Sequence, residues 1–161
     1  MFAHDITGGV FANLEDAKKK NIDDEDSLLF SVLNNLESMR NDNGDFHFKL
    51  CHPELTEIFP CNEWIQSSNP VTESIISDFS AINLSYLSNG NGESFGGLAH
   101  SPSNIKNNLM DDTPEDGNWW NSIGTLTWFG SEIPGPSPHS VKKKELYVNM
   151  VAAITGQPGQ Y

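Results

Sequence analysis

At 161 residues the chain has the length of one ordinary domain, enough to bury a core without metals or a dense disulfide framework. Lys and Arg number 9 against 22 Asp and Glu, giving a net charge of −13 and a pI of about 4.5. That balance argues against nucleic acid and against anionic membrane surfaces, which both need basic side chains, and leaves cations and basic proteins as fitting charged partners. Hydrophobic residues make up only 37%, and Asn, Ser, Asp and Gly fill the difference, so short elements joined by many turns are expected.

Met1 to Gly9 carry neither a basic stretch nor an apolar run of the signal-peptide kind. Either the protein is intracellular or the sequence begins at a processed boundary. No apolar run approaches the roughly 18 residues that span a bilayer. Residues 1–42 read as a helical segment packed on the rest of the domain. Asn13 stands where an N-cap belongs, with Glu15 and Asp16 in the first turn and Lys18 to Lys20 in the last, as the helix dipole prefers. A second, stronger helix is expected over 23–39. Asp23, Asp24 and Asp26 are its capping and first-turn acids, and Leu29, Val32, Leu33, Leu36 and Met39 recur at three- and four-residue spacing. Such a stripe must dock on something, its own sheet or another chain.

From Asp45 the period changes to two, and residues 43–155 read as the β-sandwich, with 156–161 as a tail. Phe46, Phe48 and Leu50 fall on one face, with His47 and Lys49 on the other. Ile82, Leu84 and Tyr86 alternate in the same way. Trp120 to Phe129 and Glu145 to Ile154 read as further strands, the latter with Leu146, Val148 and Met150 on one face. Between them lie Gly-, Pro- and Asn-rich turns. The predicted class is mainly β, an antiparallel sandwich or jelly roll with an N-terminal helical segment.

Cys51 closes the first strand and Cys61 follows after nine residues, which reads as a small disulfide clip. Disulfides persist in oxidising compartments, so the pair favours an extracellular protein over an intracellular one. The acceptor triplet Asn83, Leu84, Ser85 is compatible with secretion.

Several segments together resemble one domain. They are Phe46, Phe48, Lys49, Leu50, Cys51, Pro53 and Glu54; then Cys61, Asn62, Trp64, Gln66, Ser68, Asn69 and Pro70; then Trp119, Trp120, Ile123 and Gly124; then Ile133 to Pro136; and Glu145 to Val148. The set resembles a poorly characterised domain of secreted and cell-surface proteins of marine invertebrates, where it often stands beside adhesion-type modules. The likeness runs from about residue 5 to 149. It implies an extracellular location and a binding or matrix role, and it carries no catalytic residues. It also leads one to expect a tyrosine after the first cysteine, where this chain has His52.

Residue types that could do chemistry read blandly in context. Gly92, Ser94 and Gly96 match the nucleophile-elbow pattern, but that chemistry needs a strand before the serine and a helix after it, and here Gly-rich loop lies on both sides. Cys51 with His47, His52 or His100 could form a thiol–imidazole pair only if the thiol is not in a disulfide. The histidines and cysteines lack zinc spacing. Calcium is the stronger candidate. Asn41, Asp42, Asn43 and Asp45 surround Gly44, and Asp111, Asp112 and Asp116 surround a Pro-Glu turn, so both could offer oxygens to a hard cation, although the same residues are common turn formers.

Trp64 and Trp128 read as core. Trp119 and Trp120, beside Asp111, Asp112 and Asp116, could form a glycan platform. The expected function is a non-catalytic extracellular interaction module, a structural protein that associates with another protein, or with itself, in an extracellular or mineralised matrix. The alternative is a glycan-binding, lectin-like domain assisted by Ca2+.

Overall fold

The computed structural model describes residues 2–9, 11–55, 61–73, 75–83, 133–134 and 140–149. Within them the strands are β1 (Phe2–Asp5), β2 (Leu29–Ser31), β3 (Phe46–Cys51), β4 (Cys61–Gln66), β5 (Ser80–Asn83), β6 (Ile133–Pro134), β7 (Ser140–Val141) and β8 (Lys143–Val148). A five-residue helix, α1 (Leu14–Lys18), and three short 3-10 turns complete the described elements. No helix among the described residues is long and apolar enough to cross a membrane.

Alternation makes the central strands. In β3, Phe46, Phe48 and Leu50 are buried while His47, Lys49 and Cys51 are half-buried on the opposite side. The same pattern puts Asn62, Trp64 and Gln66 of β4 and Lys144, Leu146 and Val148 of β8 inward. The six-stranded sheet runs β2-β1-β8-β3-β4-β5, antiparallel at every pairing. β6 and β7 form a separate two-stranded ladder. The expected β-rich, antiparallel class is therefore what the chain adopts.

The last of the described strands lies in the middle. β8 sets Leu146 opposite Phe2 of β1 on one side and opposite Leu50 of β3 on the other. Residues nearly the full chain apart must meet before the sheet closes, which is the kind of non-local pairing that slows folding.

The inward face is aromatic where β3 and β4 meet. Phe48 stacks between Phe46 and Trp64 at centroid separations of 5.6 and 5.2 Å. Phe11, stacked on Phe2 at 5.1 Å, covers the β1 end together with Ala17 of α1, and Leu33 and Leu36 join the same core. Met39, Val71 and Phe79 pack at its margin.

Residues 2–42 depart from the helical expectation. α1 is capped as its sequence suggests, the Asn13 side-chain oxygen accepting from the Asp16 amide at 3.0 Å. The expected helix over 23–39 is instead a turn, a strand and a 3-10 stretch. Asn21 takes a left-handed φ of 49°, and the acids form two tight turns, Asp24 N–H donating to Asn21 O and Ser27 N–H to Asp24 O. Leu29–Ser31 then pairs with β1, and only Leu33–Met39 coils, as 3-10. Asp residues favour turns over helix interiors, and β1 offers a ladder that a lone helix cannot match. The apolar stripe is still buried at Leu29, Leu33 and Leu36, through a different backbone.

Gly8, in the 3-10 turn that takes the chain out of β1, lies against this segment. A Cβ there would stand 2.6 Å from Leu28 Cβ, an atom fixed to the backbone. Gly8→Ala is expected to cost about 1–3 kcal/mol through forced displacement, read as a lower urea midpoint with unchanged slope.

Candidate functional site: the outer face of the sheet

The strand alternation that buries Phe48 and Trp64 sends a second set of side chains to the opposite face. One row across the sheet is Tyr147, Lys49, Glu63 and Asn83; the next is Ala3, Glu145, Cys51 and Cys61. Sequence separation hides this set, since its members come from five strands.

The long side chains on this face are tied to one another. Glu63 receives Lys49 Nζ at 3.2 Å on one oxygen and His47 Nε2 at 3.2 Å on the other. Glu145 receives Lys143 Nζ at 3.0 Å, and the Tyr147 hydroxyl donates to its second oxygen. Partial burial pushes the Glu145 carboxyl up, but the Tyr147 hydroxyl and the Lys143 ammonium outweigh it and hold it below the usual carboxylate range. Burial and the same carboxylate push Tyr147 up to about 12. Lys49 and Lys143 offset Glu63 and Glu145, so these paired groups are close to neutral in a chain of net charge −13.

Cys51 and Cys61 form the expected disulfide across this face, at the last register pair of the β3–β4 hairpin, with Cα atoms 4.2 Å apart. Neither sulfur is a free thiol, so the thiol–imidazole pair considered for Cys51 has no nucleophile. The closed loop has a sequence separation of 10, for which the chain-entropy model gives about 2.5–3 kcal/mol. Reduction is therefore expected to lower Tm by about 5–12 °C, with a Cys51→Ala/Cys61→Ala variant melting at the reduced temperature.

The loop at 41–45 is organised as a turn. The Asn41 side-chain oxygen accepts from the Asn43 and Asp45 amides at 3.0 and 2.9 Å, and Gly44 takes a left-handed φ of 84°. Arg40 Nη1 donates to the Gly44 carbonyl at 2.7 Å and to the Ser67 carbonyl at 2.6 Å, with its guanidinium 4.3 Å from the Phe46 ring centroid. Asn41, Asn43 and Asp45 are thus brought together, with the Asn41 side-chain oxygen engaged by the backbone and a cation on a neighbouring carbonyl. Among the described residues no cluster of three or more His, Cys, Asp or Glu could hold a metal ion. Asp111, Asp112, Asp116, Trp119, Trp120, Trp128 and the Gly92–Gly96 motif lie outside the described residues.

A second polar group sits inside. At one end of the inward face His4, Lys144, His52 and Asn62 are all buried, with His4 directly opposite Lys144. Burial pushes the His52 imidazole down to about 3, and the Lys144 charge adds to the effect. Burial also holds the Lys144 ammonium well below the usual lysine range.

From the sequence, only His47 and Lys49 stand out as the polar side of β3; Glu63, Lys143, Glu145 and Tyr147 do not. Each alternates with buried neighbours, and that alternation is the signal that could have placed them on the same face. Comparison of the chain with protein families, with curated proteins and with solved structures finds no match in any of the three.

Proposed function

We propose that the chain is a non-catalytic extracellular interaction module, a structural protein that associates with another protein in an extracellular or mineralised matrix. The observation that carries this reading is the Cys51–Cys61 disulfide on the outer face of the sheet, beside side chains already tied in place. A disulfide persists where the medium is oxidising. Side chains held by their own ion pairs lose less entropy when a partner docks on them, which favours binding. The acidic remainder of the chain suits a basic protein or a cation-bearing mineral surface. The resemblance to secreted marine-invertebrate domains points the same way. A β-sandwich or jelly roll belongs to the same proposal, since a sheet with one apolar face needs a second layer to cover it.

The test uses the full chain behind a secretion leader. Secretion in oxidised form, followed by salt-sensitive retention on an immobilised basic protein or on suspended calcium carbonate, supports the reading. That retention should weaken in a folded Glu63→Ala/Glu145→Ala variant. Calcium-dependent capture on a glycan array, untouched by the same variant, replaces it with the lectin reading.

A further inference from the structure

We propose that Asn83 carries an N-linked oligosaccharide that marks the β5 margin of the outer face. The inference rests on the extracellular reading above. Of all the asparagines in the chain, only Asn83 is followed two residues later by Ser or Thr, and the intervening Leu84 is not proline.

The structure supplies what the triplet alone does not, namely room. The sugar is added to the chain before it folds, so the folded protein must tolerate a large hydrophilic group at that point. Asn62 and Asn69 are buried and could not keep one. Asn83 is exposed, in the strand that ends the order of the described sheet, where every residue of β5 is exposed and Ile82 retains 50% of its accessible surface. It stands opposite Glu63, whose side chain belongs to the outer face, so a glycan there borders the ion-paired surface without touching the aromatic core.

The transfer balances simply. The donor is an oligosaccharide on a polyprenyl diphosphate, and the acceptor is the Asn83 side-chain amide nitrogen. A nitrogen–C1 bond forms, the C1–oxygen bond to the diphosphate breaks, the diphosphate leaves with the bonding pair, and the amide gives up one proton. Nothing is oxidised or reduced. The product places a hydrated group beside exposed Ile82, on the strand that ends the order of the described sheet, a position natural sheets protect against edge-to-edge association.

The experiment is secretion of the full chain from eukaryotic cells behind an added leader. Digestion with a glycan-releasing amidase in heavy-oxygen water then follows, with peptide mass spectrometry. The expected result is a mobility shift on digestion and conversion of Asn83 to a labelled aspartate. Both should be lost completely in Asn83→Gln and, with the asparagine retained, in Ser85→Ala, while Ser85→Thr keeps them. Secreted, disulfide-bonded protein with unmodified Asn83 overturns the inference and leaves the extracellular reading standing. Retention in the cell with free Cys51 and Cys61 thiols overturns that reading and the inference with it.

Discussion

Trp64→Ala is expected to destabilise the protein by about 3–5 kcal/mol, the range for emptying a large aromatic site in a core. Trp64 is fully buried, and its ring stacks on Phe48 at 5.2 Å with an interplanar angle of 27°. Its indole N–H donates to the Gln66 side-chain oxygen at 2.8 Å, inside the core. Truncation removes the packing, the stack and the donor together. Domains are stable by only about 5–15 kcal/mol, so the change consumes a large share of the total and should lower Tm by about 6–20 °C. Trp64→Phe separates the contributions, since it keeps an aromatic face for Phe48 and removes the N–H to Gln66. Loss of a buried hydrogen-bond donor costs about 1–3 kcal/mol, so Trp64→Phe should fall between wild type and Trp64→Ala. Urea unfolding followed by far-ultraviolet circular dichroism reads both. Equal midpoints for wild type and Trp64→Ala would place Trp64 outside the stabilising core.

That position was legible in the sequence because several local signals agreed. Phe46, Phe48 and Leu50 alternate with polar residues, Cys51 and Cys61 bracket a short loop, and Trp64 follows Cys61 at the spacing that returns it to Phe48. A hairpin has a single fold-back, and the disulfide pins its register. β8 was legible in part for the same reason, with Leu146 and Val148 inward as their spacing predicts. The strand expected to Ile154 ends at Val148, where Asn149 takes a φ of 49°, and Met150 to Ile154 lie outside the described residues. Its place between β1 and β3 is a fact of topology that no local pattern holds.

The region before residue 42 misled because its pattern fits two backbones. Leu29, Leu33 and Leu36 sit on one face of a helix, yet the same residues are buried when Leu29 lies in a strand and Leu33 and Leu36 in a 3-10 stretch. What decided between them was a pairing partner at the far N-terminus. β1 has only four residues, with Ala3 and Asp5 on its outer side, too short a run for periodicity to expose. The outer-face ion pairs were hidden for a related reason. His47, Lys49, Glu63, Lys143 and Glu145 become neighbours only once the order of β4, β3 and β8 is known.

The buried polar end of the sheet makes stability fall with acid well above the range where carboxylates titrate. The His52 imidazole sits at about 3 in the folded chain against an ordinary value of 6.5, because burial disfavours its charged form and Lys144 adds repulsion. Below about pH 6.5 the unfolded chain therefore binds a proton that the folded chain refuses until about pH 3. The His52 contribution is full above that window and drops by about 1.4 kcal/mol per pH unit within it, or about 2 kcal/mol by pH 5. Lys144 acts in the same sense at higher pH, since a depressed lysine makes the folded chain more stable as pH rises toward the ordinary lysine value. Asp16 and Glu37, held low by Lys20 and by Arg40 with Asn69, begin to cost stability only below their ordinary values of 3.8 and 4.5. The interval from pH 6.5 to 4.5 lies above the ordinary carboxylate values and inside the His52 window. Urea midpoints should fall across it in wild type and fall less steeply in His52→Gln, which is neutral throughout. Lys144→Met should reduce the fall without abolishing it, because it removes the repulsion and leaves the burial. If His52→Gln keeps the wild-type slope, the proton taken up on unfolding belongs to another group.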